Sequence, residues 1–259
     1  MHFSLLTYNV LYNKAFEKLG TIIDISTPDI ICLQEIDTKE SNLINIEKFG
    51  YKLADFSNSF INLGKIYGVA TFYNPRKVKF IESTTLQLPR SIYEIFLLVF
   101  RVLRGGNKPR TVLKTDFQLN NGAKITIYNT HLTVISTNQA RVKQIKTIVD
   151  FINNHTELPL IITGDLNYHP YARKRLEELM KKHNLQEATN NIDYTMKIAA
   201  GKLINYNIFQ KITTRIIQMI FKDRFKLDYM FYKNLKMIET KRIDIEFSDH
   251  FPIVATFKV

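Results

Sequence analysis

The chain contains a single cysteine, Cys32, so no disulfide can form within it. The setting of that residue, Ile30-Ile31-Cys32-Leu33, reads as a small buried hydrophobe rather than a reactive thiol. Tryptophan is absent, which removes the aromatic best suited to anchoring a protein at a membrane interface. Glycine and proline are sparse, 9 and 7 among 259 residues, and fall singly, so no flexible linker divides the chain. Residues 1–259 are therefore expected to form a single domain, without internal repeats. The opening Met1-His2-Phe3-Ser4-Leu5-Leu6 lacks the basic start, long apolar run and small-residue cleavage site of a secretory leader, and reads as a strand. A cytoplasmic protein is the expectation. Long apolar runs are missing too: Ser91–Leu103 falls well short of the ~20 residues a membrane span needs, and Glu94 and Arg101 interrupt it.

Hydrophobic residues make up 45% of the chain and charged residues 23%, enough to build a substantial core. The net charge of +12 suits a polyanionic partner, either nucleic acid or an anionic membrane surface, although a lysine-, asparagine- and isoleucine-rich codon usage produces the same balance. Short β-branched or aromatic segments bounded by turn residues read as strands: Ser4–Tyr8, Asp29–Leu33, Val69–Tyr73, Val112–Gln118, Ala123–Asn129, Leu158–Thr163, Tyr229–Tyr232 and Ile253–Phe257. Helical spacing marks Asn13–Thr27, Ser41–Phe49, Asn138–Asn153 and Tyr171–His183. Leu203–Lys222 patterns as a basic amphipathic helix, with Ile204, Ile208, Ile212, Ile216 and Ile220 recurring every four residues. The mixture predicts an α/β protein with helices covering sheets.

Polar or ionisable residues stand directly at the ends of apolar strands in Thr7-Tyr8-Asn9-Val10, Leu33-Gln34-Glu35, Asn129-Thr130-His131-Leu132, Gly164-Asp165-Leu166-Asn167 and Ser248-Asp249-His250. In Leu227-Asp228-Tyr229 a carboxylate begins a strand. Each string alone has an ordinary explanation in turn and capping chemistry. Together, several carboxylates and two imidazoles at strand ends are what a hard-cation hydrolytic site requires. Carboxylate and amide oxygens suit Mg²⁺, with Mn²⁺ as a substitute, whereas the absence of a cysteine cluster or a histidine pair at ligand spacing disfavours zinc. Carboxylates gathered there raise one another's pKa while no cation is bound.

In this order the strings resemble the motif series of the endonuclease/exonuclease/phosphatase superfamily, which includes deoxyribonuclease I, exonuclease III, neutral sphingomyelinases and inositol polyphosphate 5-phosphatases. The series runs from Asn9 to His250 and is specific as a set. The resemblance implies a deoxyribonuclease I-like, four-layer α/β sandwich: two mixed β-sheets face to face, flanked by helices, with the site at one rim. It further implies that Asn9, Glu35 and Asp249 hold the metal, and that Asp165 and Asn167 position or deprotonate the attacking water and orient the phosphate. His250, its ring held by Asp228, would stabilise the transition state, and His131 would add a second imidazole near the phosphorus. Either Asp165 or His250 is suited to accept the water's proton. His131 sets the chain apart from the exonuclease III-like branch, as does Tyr168-His169-Pro170 after the Gly-Asp-Leu-Asn string, where His169 reads as a loop residue leading into a helix.

The function expected from this reading is a nuclease acting on DNA or RNA, with basic residues such as Arg76, Lys77, Lys79 and Arg110 following the phosphate backbone. The alternative is a lipid or small-molecule phosphodiesterase or phosphatase at a membrane surface, with Ser91–Leu103 and Leu203–Lys222 flanking the mouth of the site. A monomer without an obligate protein partner is the expected state.

Overall fold

Side chains on a strand alternate between its two faces, and here that alternation sorts the chain into layers. The computed structural model describes residues 2–62, 64–91, 109–134, 136–155, 158–169, 172–197 and 224–259. Along the chain the strands are β1 (His2–Asn9), β2 (Ile30–Asp37), β3 (Lys52–Asn62), β4 (Lys65–Tyr73), β5 (Val78–Gln87), β6 (Thr111–Leu119), β7 (Lys124–His131), β8 (Leu160–Asp165), β9 (Gln186–Glu187), β10 (Met196–Lys197), β11 (Arg224–Phe225), β12 (Asp228–Lys233), β13 (Lys236–Arg242) and β14 (Ile253–Lys258). The α-helices among the described residues are α1 (Leu19–Ser26), α2 (Glu40–Ile44), α3 (Asn138–His155) and α4 (Arg173–Lys182), with 3₁₀ turns at Phe16–Lys18 and Asn45–Phe49.

Two mixed six-stranded sheets form, in the orders β13-β14-β1-β2-β4-β3 and β5-β6-β7-β8-β12-β9. Parallel pairing occurs between β1 and β2 and between β7 and β8, with α1 and α3 as the respective crossovers, and the other pairs are antiparallel. Phe3 and Leu5 of β1, Ile30 and Cys32 of β2, Ile125 and Ile127 of β7, Ile161 of β8 and Met230 of β12 pack into one cluster between the sheets. Their strand neighbours face outward. Leu6, Tyr8, Ile31 and Leu33 meet Leu19, Ile22 and Ile46 on one side, and Tyr128, Ile162, Tyr229 and Phe231 meet Ile145, Val149, Leu176 and Met180 on the other. The result is the four-layer sandwich that the motif series implies.

Six strands escape sequence patterning: β3, β5 and β13, and the two-residue β9, β10 and β11. All lie at or form a sheet edge. There one face stays wet and the apolar run dissolves into polar residues, as in the mostly exposed β5, Val78-Lys79-Phe80-Ile81-Glu82-Ser83. The helix expected over Asn13–Thr27 is shorter, because Leu11, Tyr12 and Asn13 all adopt left-handed backbone angles (φ 47°, 51° and 66°) that end β1 in a tight loop before α1 begins. Ser91–Leu103, apart from Ser91, and Leu203–Lys222 lie outside the described residues. Among the described residues, no helix is long and apolar enough to cross a membrane.

Towards one end of the sandwich the layer between the sheets turns polar. On the same strand faces that carry its apolar residues come Thr7 and Asn9, Gln34, Asn129 and His131, Asp165 and Asp228, all nearly or fully buried. Two amides lock the sheets together here. Gln34 Nε2 donates to Asn129 Oδ1 (2.8 Å) and to Thr7 Oγ1 (3.1 Å), and Asn129 Nδ2 donates to the carbonyls of Ala70 (2.9 Å) and Leu33 (3.3 Å). Removing one partner of a buried pair leaves the other desolvated and unsatisfied. Asn129→Leu is therefore expected to cost about 1–3 kcal/mol, read as a lower urea midpoint with an unchanged slope. An unchanged midpoint would show that this lock contributes nothing.

Candidate active site

Register brings the first group of residues together. β7 and β8 run parallel with His131 opposite Asp165, and β12 runs antiparallel to β8 with Asp228 opposite Asp165, so three ionisable side chains fall in one row across adjacent strands. Gly164 makes that row possible. At φ +131° a β-carbon on it would run into the Thr130 carbonyl of β7, so the Gly-Asp pair in the sequence is a packing requirement as much as a turn signal.

The second group comes from the opposing sheet. Asn9, the last residue of β1, reaches across to donate from Nδ2 to Asp165 Oδ2 (3.0 Å), while its Oδ1 accepts the Leu11 N–H (3.0 Å). Strict alternation would aim Glu35 away from the space between the sheets, since Gln34 already points into it. Instead the β2–β4 register slips between Gln34 and Ile36, and Glu35 takes φ 56°. A bulge re-aims the side chain it carries, and a left-handed non-glycine residue costs on the order of 1 kcal/mol. The Glu35 carboxylate accepts the Tyr12 N–H at Oε2 (3.1 Å), with Oε1 lying 3.8 Å from His131 Nε2. Residues 11–13, Glu35 and Asn9 thus form one interlocked corner.

His250 completes the cluster. Its Nδ1 lies 2.7 Å from Asp228 Oδ2, an oxygen that also accepts the Thr195 hydroxyl (2.7 Å), and its Nε2 lies 3.7 Å from Asp165 Oδ2. The Ser248 hydroxyl donates to the Asn9 carbonyl (2.9 Å) and lies 3.2 Å from Asp249 Oδ1, tying the Ser-Asp-His string to the end of β1. Asn167, left-handed at φ 48°, donates its backbone N–H to Asp165 Oδ1 (2.9 Å) and its Nδ2 to the Leu132 carbonyl (3.2 Å). His169 is pinned through its backbone to the Asn138 side chain at the start of α3. Arg110 is buried behind His131, with Nη1 3.2 Å from the imidazole Nδ1.

The electrostatics follow from burial and from the charges gathered within it. Among the described residues, no lysine or arginine forms an ion pair with Glu35, Asp165 or Asp249. Burial, with Asp249 and Asp165 nearby, pushes the Glu35 carboxyl up to about 7, and burial together with Asp228 pushes Asp165 up to about 6. Burial, Arg110 and His250 hold His131 well below the usual histidine range. For His250, burial opposes the charge, but Asp228 and Asp165 outweigh it and raise the imidazole well above its ordinary value. Among the described residues, Asp165, Asp228 and His250 form a group with metal-ligand chemistry, their ligand atoms all within 4.8 Å of one another. Within that trio the contact oxygen of Asp228 is already committed to His250 and Thr195. Glu35 Oε1 faces His131, and the Nε2 of that histidine is a buried polar atom with no hydrogen-bond partner among the described residues. Oxygen donors, excess negative charge and an unsatisfied imidazole fit a hard divalent cation with its waters.

Residues 6–250 match the endonuclease/exonuclease/phosphatase family. The chain belongs to this family. Its members hydrolyse phosphoric esters, and the fold agrees. The catalytic domain of human Nocturnin superposes with a TM-score of 0.72 at 17% identity, covering 99% of this chain and 94% of that one. D. rerio TDP2, in a complex with a single-strand DNA product, superposes with a TM-score of 0.69 at 17% identity, covering 100% of this chain and 99% of that one. The UPF0294 protein of Vibrio campbellii is 22% identical over 152 residues, 58% of this chain and 45% of the relative, so the match spans less than half of that curated protein.

Within the family's frame, sequence reasoning overlooked the residues that build the site without reacting in it. Thr195 receives the N–H groups of Leu227 and Asp228 at its hydroxyl (3.0 and 2.9 Å) while donating to the Asp228 carboxylate, thereby fixing the His250 partner. Arg141, fully buried, donates to the carbonyls of Thr133 and Val134 and holds the loop that follows His131. Neither carries a local signal beyond a polar residue in a loop or on a helix. Tyr12, Phe60 and Tyr67 form an aromatic group beside Glu35 and His131, with ring centroids 5.4–6.1 Å apart, and only their aromatic character was available to mark them.

Proposed function

We propose that this protein is a divalent-metal-assisted phosphodiester hydrolase acting on nucleic acid. The observation that carries the reading is the buried meeting of Glu35, Asp165 and Asn9 beside a charged His250–Asp228 pair, with no lysine or arginine neutralising the carboxylates among the described residues. Glu35, Asn9 and Asp249 would hold Mg²⁺ or Mn²⁺ through oxygen donors. When bound, the ion supplies Lewis-acid polarisation of a phosphoryl oxygen. Asp165 is the base: its carboxylate keeps lone pairs to accept a water proton, whereas His250, held charged by Asp228, has none to offer. The His250 imidazolium offsets the negative charge that develops on the phosphorus oxygens, and Asn167 orients the phosphate beside Asp165.

Nucleic acid is supported as the substrate class by the net charge of +12 and by the likeness to TDP2 bound to DNA. Plasmid DNA is expected to be nicked in Mg²⁺, untouched in EDTA, and cut progressively less as salt rises, because phosphate contacts release counterions. The second reading, a lipid phosphodiesterase, is favoured by the exposed Tyr12, 37% accessible, whose backbone N–H binds Glu35. Hydrolysis of sphingomyelin vesicles with DNA and RNA left intact would select it over the nuclease. Absence of any Mg²⁺-dependent hydrolysis, including of bis(p-nitrophenyl) phosphate, would reject both.

A further inference from the structure

A guanidinium donates hydrogen bonds and cannot accept them. Arg110 Nη1 stands 3.2 Å from His131 Nδ1, so the contact is a hydrogen bond only if Nδ1 carries a lone pair. An imidazolium, or the tautomer protonated at Nδ1, would set donor against donor. Burial and ring contacts hold the pair in place. His131 is fully buried and Arg110 is 7% exposed. The Arg110 guanidinium lies over the Phe60 ring, 4.7 Å from its centroid, and Phe60 packs edge-on against the His131 ring (5.8 Å) and stacks on Tyr67 (5.5 Å). The other ring nitrogen, Nε2, lies 3.5 Å from Asp165 Oδ2 and 3.8 Å from Glu35 Oε1, with no hydrogen-bond partner among the described residues.

We propose that Arg110 fixes His131 as the neutral tautomer protonated at Nε2, making it a hydrogen-bond donor to a non-bridging phosphoryl oxygen rather than an acid or base. Arg110 is then a positioning residue that acts through His131, and Phe60 is the platform that keeps the guanidinium in line. The geometry divides the labour between the two histidines. His250, paired with a carboxylate, carries charge, while His131, paired with a guanidinium, carries a proton it does not give up.

The tautomer is directly measurable. Long-range ¹H–¹⁵N correlation spectra of the 259-residue chain at neutral pH, with the His131 signals identified by their loss in His131→Gln, should show Nε2 protonated and Nδ1 bare. A proton on Nδ1, or on both nitrogens, overturns the proposal. The kinetic arm rests on the hydrolase reading and uses bis(p-nitrophenyl) phosphate. Arg110→Gln can still donate to Nδ1 and should retain kcat within about tenfold, whereas Arg110→Glu accepts from Nδ1, reverses the tautomer and should lose about a hundredfold. His131→Gln, which keeps an amide donor, should retain at least tenfold more kcat than His131→Ala. Equal losses in His131→Gln and His131→Ala would show that the ring moves a proton, against the proposal. If the wild-type enzyme turned over nothing, the hydrolase reading would fall, and the spectra would still decide the tautomer.

Discussion

Glu35→Gln is expected to abolish metal-dependent hydrolysis and, in EDTA at pH 8, to make the protein more stable than the wild type. The first effect follows from removing the charge that would hold the cation, whose electrostatic contribution of several kcal/mol corresponds to a loss of about 10³-fold or more in kcat. The second follows from linkage. Burial beside Asp249 and Asp165 raises the Glu35 carboxyl from 4.5 to about 7 in the folded state, so its protonated form is favoured there. The stability it contributes is complete below the unfolded value of 4.5 and is lost as pH rises through 7. About 2.5 units at 1.36 kcal/mol each sets an upper bound of about 3 kcal/mol. Glutamine keeps an acceptor for the Tyr12 N–H and has no proton to lose. Thermal melts in EDTA should therefore converge for the two proteins near pH 4.5 and separate towards pH 8, with added Mg²⁺ raising the wild-type Tm alone. A Glu35→Gln protein melting below wild type at pH 8 in EDTA would show that this carboxylate is not the destabilised ligand of an electronegative site.

Asp228→Asn should be strongly damaging although it leaves every proposed metal ligand in place. The His250–Asp228 contact of 2.7 Å is what lets a buried imidazole remain charged. An asparagine preserves the shape and offers an acceptor to Nδ1, but removes the negative charge, so burial wins and the ring becomes neutral. The expected loss is about 10³-fold in kcat, within the range for general acid–base groups, with Mg²⁺ affinity retained. Because His250 is raised in the folded state, the stability it contributes is present below its ordinary value of 6.5 and lost as pH rises through its folded pKa. In Asp228→Asn that dependence should flatten. Since the two residues act as one unit, the double variant with His250→Ala should be little worse than His250→Ala alone. Additive losses would mean that Asp228 works independently of the ring.

Much of this is legible in the amino-acid sequence. The strands buried on both faces, such as β1, β2, β7, β8 and β12, announce themselves as apolar segments because two packed layers leave no wet face. The wet-faced edge strands β3, β5 and β13 do not. The ends of the buried strands were legible for the same reason: a polar residue such as Asn9, Asp165 or His131 closing an apolar run marks where the sheet gives way to the rim. The resemblance to the family rested on those strings. Arg110 reads from the sequence as a basic residue for binding substrate, with nothing in the sequence to mark its burial behind His131.

The alternation, the strand ends and the chemical types of the side chains were determined by the sequence alone, because they depend on neighbours along the chain. Which groups meet was decided by the tertiary structure. Asn9 and Asp165 are 156 positions apart and touch because two sheets pack face to face. Glu35 enters the cluster because a bulge reverses the direction its place in β2 would assign it. His131 and His250 are the same residue type with opposite charge preferences, set by an arginine against one and an aspartate against the other. Proton affinity in a buried site is fixed by what lies within a few ångströms in space, and adjacency along the chain does not encode that.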